Sequence, residues 1–146
     1  MLGPAGCGFR PLYGPGEGAS ELRGAVAFGE PESTAGFSLV RALEGELGTP
    51  VETRFRLSVR ARIEEEGGVI TTTQETERFS LLAEADYTLG EAATGENITA
   101  GNVRAFTSYS ASGTPIATRA ARDDAVDRLM AILAEQIVAR LAAALA

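Results

Sequence analysis

Hydrophobic residues in the middle of this chain recur at every second position. From Val51 to Glu64 one face carries Phe55, Leu57, Val59, Ala61 and Ile63. From Thr76 to Leu89 the aligned residues are Phe79, Leu81, Ala83, Ala85, Tyr87 and Leu89. From Asn97 to Ser110 they are Val103, Ala105, Thr107 and Tyr109. A period of two sends alternate side chains to opposite faces, so each segment predicts a strand with one apolar face. Such strands imply an antiparallel sheet covered on one side. Gly67-Gly68 and Gly95-Glu96-Asn97 are the expected turns.

The period changes on either side. Phe37, Val40, Leu43 and Leu47 recur at helical spacing after the possible caps Ser33 and Thr34, and Gly48 and Pro50 form a stop signal. This predicts a helix over about 34–47. Beyond Pro115, the stripe Val126, Leu129, Met130, Leu133, Ile137, Leu141 and Leu145 predicts a long final helix. Glu21 to Phe28 alternates, with Leu22, Val26 and Phe28 on one side, and reads as a first strand. The expected fold class is α+β: a four-stranded, mainly antiparallel sheet with two helices packed on one face, over residues 21–146. Residues 1–20, rich in Gly and Pro, read as a leader and tether.

Composition narrows the chemistry. The chain has 146 residues and a formal net charge of −7, which disfavours non-specific nucleic-acid binding. Every basic residue is Arg, and there is neither Lys nor His. The commonest general base and metal ligand are therefore missing, and no familiar nucleophile–base pair can be assembled, so the chain is read as no enzyme. The single cysteine, Cys7, rules out an intramolecular disulfide and a cysteine metal cluster. No cofactor is expected. No apolar run approaches the length of a transmembrane helix.

Two features carry candidate function. Ala5-Gly6-Cys7 reads like the end of a lipoprotein signal, in which the cysteine is acylated and becomes the anchor. Only six residues precede it, none charged, so either the true start lies upstream or Cys7 is a free thiol. The second feature is the polar face of the strand from Val51 to Glu64. Arg54, Arg56, Arg60 and Arg62 all project there, and Arg78 and Arg104 on the next strands are placed on the same side. Like charges in a row repel unless something negative answers them. Glu84 and Asp86 supply part of that answer, which would make the face a solvated ion-pair surface. The other reading is a phosphate-binding stripe, since Arg grips phosphates with a planar fork. Thr114-Pro115 at the start of the final helix reads as simple capping, and Asp123, Asp124 and Asp127 read as dipole-favoured carboxylates of its first half.

The leader Gly6-Cys7-Gly8-Phe9-Arg10-Pro11-Leu12-Tyr13-Gly14 resembles the mature N-terminus of the lipopolysaccharide-assembly lipoprotein family LptE. Tyr109-Ser110-Ala111-Ser112 before an Ala-rich helix, and Ala120 to Ala125 leading to Ile137-Val138-Ala139-Arg140-Leu141, resemble its later half. The resemblance implies a lipid-anchored domain on the periplasmic face of the outer membrane. It also implies a place as a plug inside the β-barrel protein LptD and contact with lipopolysaccharide through basic residues. The alternative is an auxiliary lipoprotein of an ABC-type envelope transport system, sharing the anchor but lacking a barrel partner.

Overall fold

The computed structural model describes residues 17–70, 77–111 and 113–146. The leader with Cys7 lies outside them. The elements are α1 (Glu17–Leu22), β1 (Val26–Phe28), α2 (Thr34–Leu47), β2 (Phe55–Ile70), β3 (Glu77–Glu91), β4 (Asn97–Ala111) and α3 (Pro115–Leu145). The strands form one sheet in the order β1-β2-β3-β4. Pairs β2–β3 and β3–β4 are antiparallel.

Four expectations are corrected. The strand expected over Glu21–Phe28 is only Val26–Phe28, because Leu22, fully buried, ends the short helix α1. That makes three helices where two were expected. The glycine at position 18 lets α1 approach the backbone of α3: a Cβ there would overlap the Ala142 carbonyl. β1 pairs with β2 in parallel, so the sheet is mixed rather than wholly antiparallel, though mainly antiparallel as the fold class anticipated. A parallel neighbour needs a crossover, and α2 supplies it. Gly67-Gly68 is no turn; it sits inside β2 at a register shift between Glu66 and Val69. Residues 71–76, between β2 and β3, lie outside the described segments. Phe37 is exposed (57%), and the buried side of α2 is Gly36, Leu39, Val40, Leu43 and Leu47. Position 37 is about 100° around the helix from Gly36, which turns its ring away from the sheet.

The boundaries of α2 follow from its ends. Ser33 is the N-cap, its Oγ accepting from Gly36 N at 3.0 Å and donating to Ala61 O at 3.2 Å. Gly48 (φ 75°) closes the other end, its N–H donating to Glu44 O at 2.8 Å. Beyond it, Gly24 O accepts from Val51 N and Glu52 N, and Ala25 O from Arg54 N and Phe55 N, which clasps β1 to the start of β2.

The core lies between the helices and one sheet face. Leu57, Leu81, Ala83, Ala85, Leu89 and Val103 of the sheet join Leu39 and Leu43 of α2 and Leu129, Met130, Leu133, Ile137 and Leu141 of α3 in one buried cluster. Tyr87 lies opposite Gly101, where an ideal Cβ would stand 2.5 Å from the phenol oxygen; only glycine leaves room for that ring. No helix among the described residues is long and apolar enough to cross a membrane.

Candidate functional site: the arginine-bearing sheet face

Alternation sends Arg56, Ser58, Arg60 and Arg62 of β2 to the face away from the helices, while Phe55, Leu57 and Ala61 are buried on the other. Register then sets the rows. Arg62 lies opposite Glu84, and Glu84 opposite Arg104; Arg60 lies opposite Asp86, and Asp86 opposite Asn102. Arg56 lies opposite Gly90, and Arg78 opposite Ser110.

The central rows are an ion-pair network. Glu84 Oε2 accepts from Arg62 Nη2, and Glu84 Oε1 accepts from Arg104 Nε and Nη2 at 3.2 and 3.0 Å and from Asn102 Nδ2 at 3.0 Å. The second Asn102 bond, at 2.8 Å, goes to Asp86 Oδ1. The hydrogen bonds from Arg62 and then Arg104 hold the Glu84 carboxyl below its ordinary range, and the bond to Glu84 raises Arg62 in turn. Arg60 Nε reaches Glu32 at 3.4 Å, and Arg54 Nη2 approaches Glu21 at 3.9 Å while its guanidinium lies 5.1 Å from the Phe55 ring centroid.

Among the described residues, Arg56 and Arg78 have no hydrogen-bond or ion-pair partner. They stand at opposite ends of the face, twelve positions apart along β3, or about 40 Å. The six arginines are therefore not one cluster. Arg54 and Arg56 mark the end where β2 begins, Arg60, Arg62 and Arg104 are answered by carboxylates at the centre, and Arg78, without a partner among the described residues, stands at the far end. Of these contacts, sequence reading anticipated Glu84 and Asp86 but missed Glu21, Glu32 and Asn102, whose positions only the long-range register reveals.

A second polar group lies on the helix side of the sheet. Tyr109 Oη donates to Glu65 Oε1 at 3.1 Å, and Arg122 Nε to Glu65 Oε2 at 2.7 Å, tying α3 to the far part of β2. Burial, then the Glu65 carboxylate, holds the Tyr109 phenol above its ordinary range. The Tyr109 ring stacks on Phe79, centroids 5.2 Å apart. At the start of α3, Thr114 Oγ1 accepts from Ala117 N at 3.2 Å, the capping arrangement its sequence suggested. Asp124 accepts from Arg128 at 3.3 Å, one turn on. No group of metal-ligating side chains occurs among the described residues.

Solved structures share this architecture. A putative lipoprotein from Caulobacter crescentus superposes with a TM-score of 0.71 at 24% identity, over 89% of this chain and 96% of that one. Rare lipoprotein B from Shewanella oneidensis gives 0.57 at 11% identity, over 82% and 92%. Lipoprotein B from Nitrosomonas europaea gives 0.56 at 12% identity, over 82% and 83%. No curated protein sequence matches the chain. At these identities the likeness speaks for the fold alone. The family model described as LptE, lipopolysaccharide-assembly, matches residues 25–141, from the clasp before β1 to the last turns of α3. The chain belongs to this non-enzymatic lipopolysaccharide-assembly family, LptE.

Proposed function

We propose that this protein is an outer-membrane lipoprotein, anchored through Cys7, that assembles with an LptD-type β-barrel as its plug and meets lipopolysaccharide phosphates with the arginines of its open sheet face. The observation that carries the reading is the family match over residues 25–141, which spans the whole sheet and most of α3. The fold is consistent with it. The helices leave one sheet face uncovered, and that face bears Arg56, Arg60, Arg62, Arg78 and Arg104 in a chain of net charge −7, while Arg54 precedes β2 and reaches instead toward Glu21 of α1 and the Phe55 ring. Arg56, without a partner among the described residues, would take an anion directly. Arg62 and Arg104 take one only by releasing or sharing Glu84.

The tether suits the same arrangement. α1 packs on the end of α3 near Ala142, and Cys7 lies ten chain steps before Glu17. Fully extended, these steps reach about 35 Å, so a lipid on Cys7 would hold the end of the domain where β2 begins within that distance of the membrane.

The test is Arg56→Glu combined with Arg60→Glu. Weaker binding of the purified domain to lipopolysaccharide, with barrel co-purification intact, is expected. Loss of the barrel with lipopolysaccharide binding kept assigns the face to the barrel wall instead. Retention of both leaves a solvated face and removes the arginines from the reading. For the anchor, a palmitate analogue should label the wild type expressed with its upstream sequence, and Cys7→Ser should abolish the label; equal labelling excludes Cys7.

A further inference from the structure

β4 is an edge strand, and among the described residues side chains of α3 cap its outer edge at only two carbonyls. Arg140 Nη1 of α3 donates to Asn102 O at 2.8 Å, and Gln136 Nε2 to Arg104 O at 3.2 Å. These two carbonyls thus point away from β3, and by alternation so do the N–H and C=O groups of Phe106, Ser108 and Ser110. Four helical residues, about 6 Å, match two strand residues, about 6.6 Å, so the next residue of the capping series, Ile132, comes level with Phe106. Ile132 has no donor to offer, and Arg128, a turn further, is engaged with Asp124. No hydrogen bond caps the outward groups of Phe106, Ser108 and Ser110 among the described residues.

The flanks of this open segment are apolar on both sides. Phe106 is 77% exposed and lies opposite Leu82, 45% exposed, on the arginine-bearing face; Ile132 is 39% exposed on the helix side. From Ala105 to Ala111 the strand carries no charge and no proline, the usual defences of an edge. At the far end Arg78, without a partner among the described residues, lies behind the small side chain of Ser110.

We propose that the edge Phe106–Ser110 accepts an extended strand from a partner protein, adding a fifth strand to the sheet. The strand would run antiparallel to β4, with an apolar side chain beside Phe106 and an acidic one beside Ser110, where it meets Arg78 across the serine. Main-chain hydrogen bonds would hold it, and these two positions would select it. A second copy of this chain is a poorer occupant, since it brings a whole domain of the same net charge, −7, and its own α3 to the strip beside Ile132. The proposal shares Arg78 with the lipopolysaccharide reading but uses neither Arg56 nor the Glu84 network, so failure of Arg56→Glu with Arg60→Glu to affect lipopolysaccharide binding leaves it standing.

The probe is a blocked heptapeptide of alternating threonine and valine with glutamate at its second position, titrated into the full chain while backbone amide signals are followed by NMR. The amides of Phe106, Ser108 and Ser110 should shift and gain exchange protection. Replacing the glutamate by arginine, or Arg78→Ala, should weaken binding about threefold or more. Ser108→Pro removes an outward N–H without touching the β3–β4 ladder and should weaken it about threefold to tenfold. A peptide N-methylated on its pairing edge leaves this chain unaltered and should not bind, which keeps the test decisive if Ser108→Pro fails to fold. Unmoved amides at the three positions, or equal binding of the N-methylated peptide, overturns the proposal. So does concentration-dependent protection of these amides without peptide, with doubled mass, which assigns the edge to a second copy.

Discussion

Glu84 lies directly across the β3–β4 ladder from Arg104, and one of its oxygens accepts from both Nε and Nη2 of that arginine, at 3.2 and 3.0 Å. Its other oxygen holds Arg62. One carboxylate therefore answers two of the arginines assigned to phosphate binding. Glu84→Gln removes that competitor and should tighten binding of lipopolysaccharide to the purified domain, read as a lower Kd in a titration monitored by calorimetry. An unchanged or higher Kd would place the phosphate contacts away from Arg62 and Arg104.

The same carboxylate gives the domain an acid response. Free glutamate titrates near about 4.3, and Glu84 in the fold lies below that. Its contribution to stability is thus complete above the unfolded value and is lost as pH falls through the folded one. Thermal midpoints of wild type and Glu84→Gln, compared from about pH 6 to about pH 3, should differ most at the upper end and converge toward the lower.

Leu81 is fully buried in the middle of β3, within the cluster that joins sheet and helices. Leu81→Ala should lower unfolding free energy by about 2–5 kcal/mol, measured by urea denaturation. Its neighbour Leu82, on the other face, is 45% exposed, and Leu82→Ala should cost well under half as much.

Ser33 performs two tasks with one hydroxyl, capping α2 at Gly36 N and donating to Ala61 O of β2. Ser33→Ala should cost about 1–2 kcal/mol, more than an isolated cap of this kind usually does. Ser33→Asp can replace the cap but offers no donor to Ala61 O, so it should recover only part of the loss.

Elements whose cause is local were legible in the sequence. Ser33 and Gly48 bracket α2, and the period of two ran through β2, β3 and β4 because each has one buried face. What depended on distant partners was not legible. The parallel pairing of Val26 with Phe55 leaves no mark on either segment, and Leu22 belongs as plausibly to a strand as to the helix it ends. Gly67-Gly68 resembles a hairpin turn, but β2 continues through it with a shift of register. Phe37 fits the helical stripe by type and misses it by one position. Arg56, Arg60, Arg62, Arg78 and Arg104 lie on the expected face, but Arg54, expected there too, precedes β2 and turns toward Glu21 and Phe55, and the division into answered and unanswered groups required knowing that Glu84 faces both Arg62 and Arg104.

The clasp around Gly24 and Ala25 also has a mechanical side. Each of these carbonyls receives two amides from the segment before and at the start of β2, and β1 adds only three residues of pairing. A pull on the N-terminal segment is therefore delivered first to α1, then to this short junction, before any load reaches the long β2–β3–β4 meander. Under tension α1 and β1 should detach as a unit while the meander and α3 stay closed, so that the N-terminal elements act as a fuse between whatever holds the leader and the body of the domain.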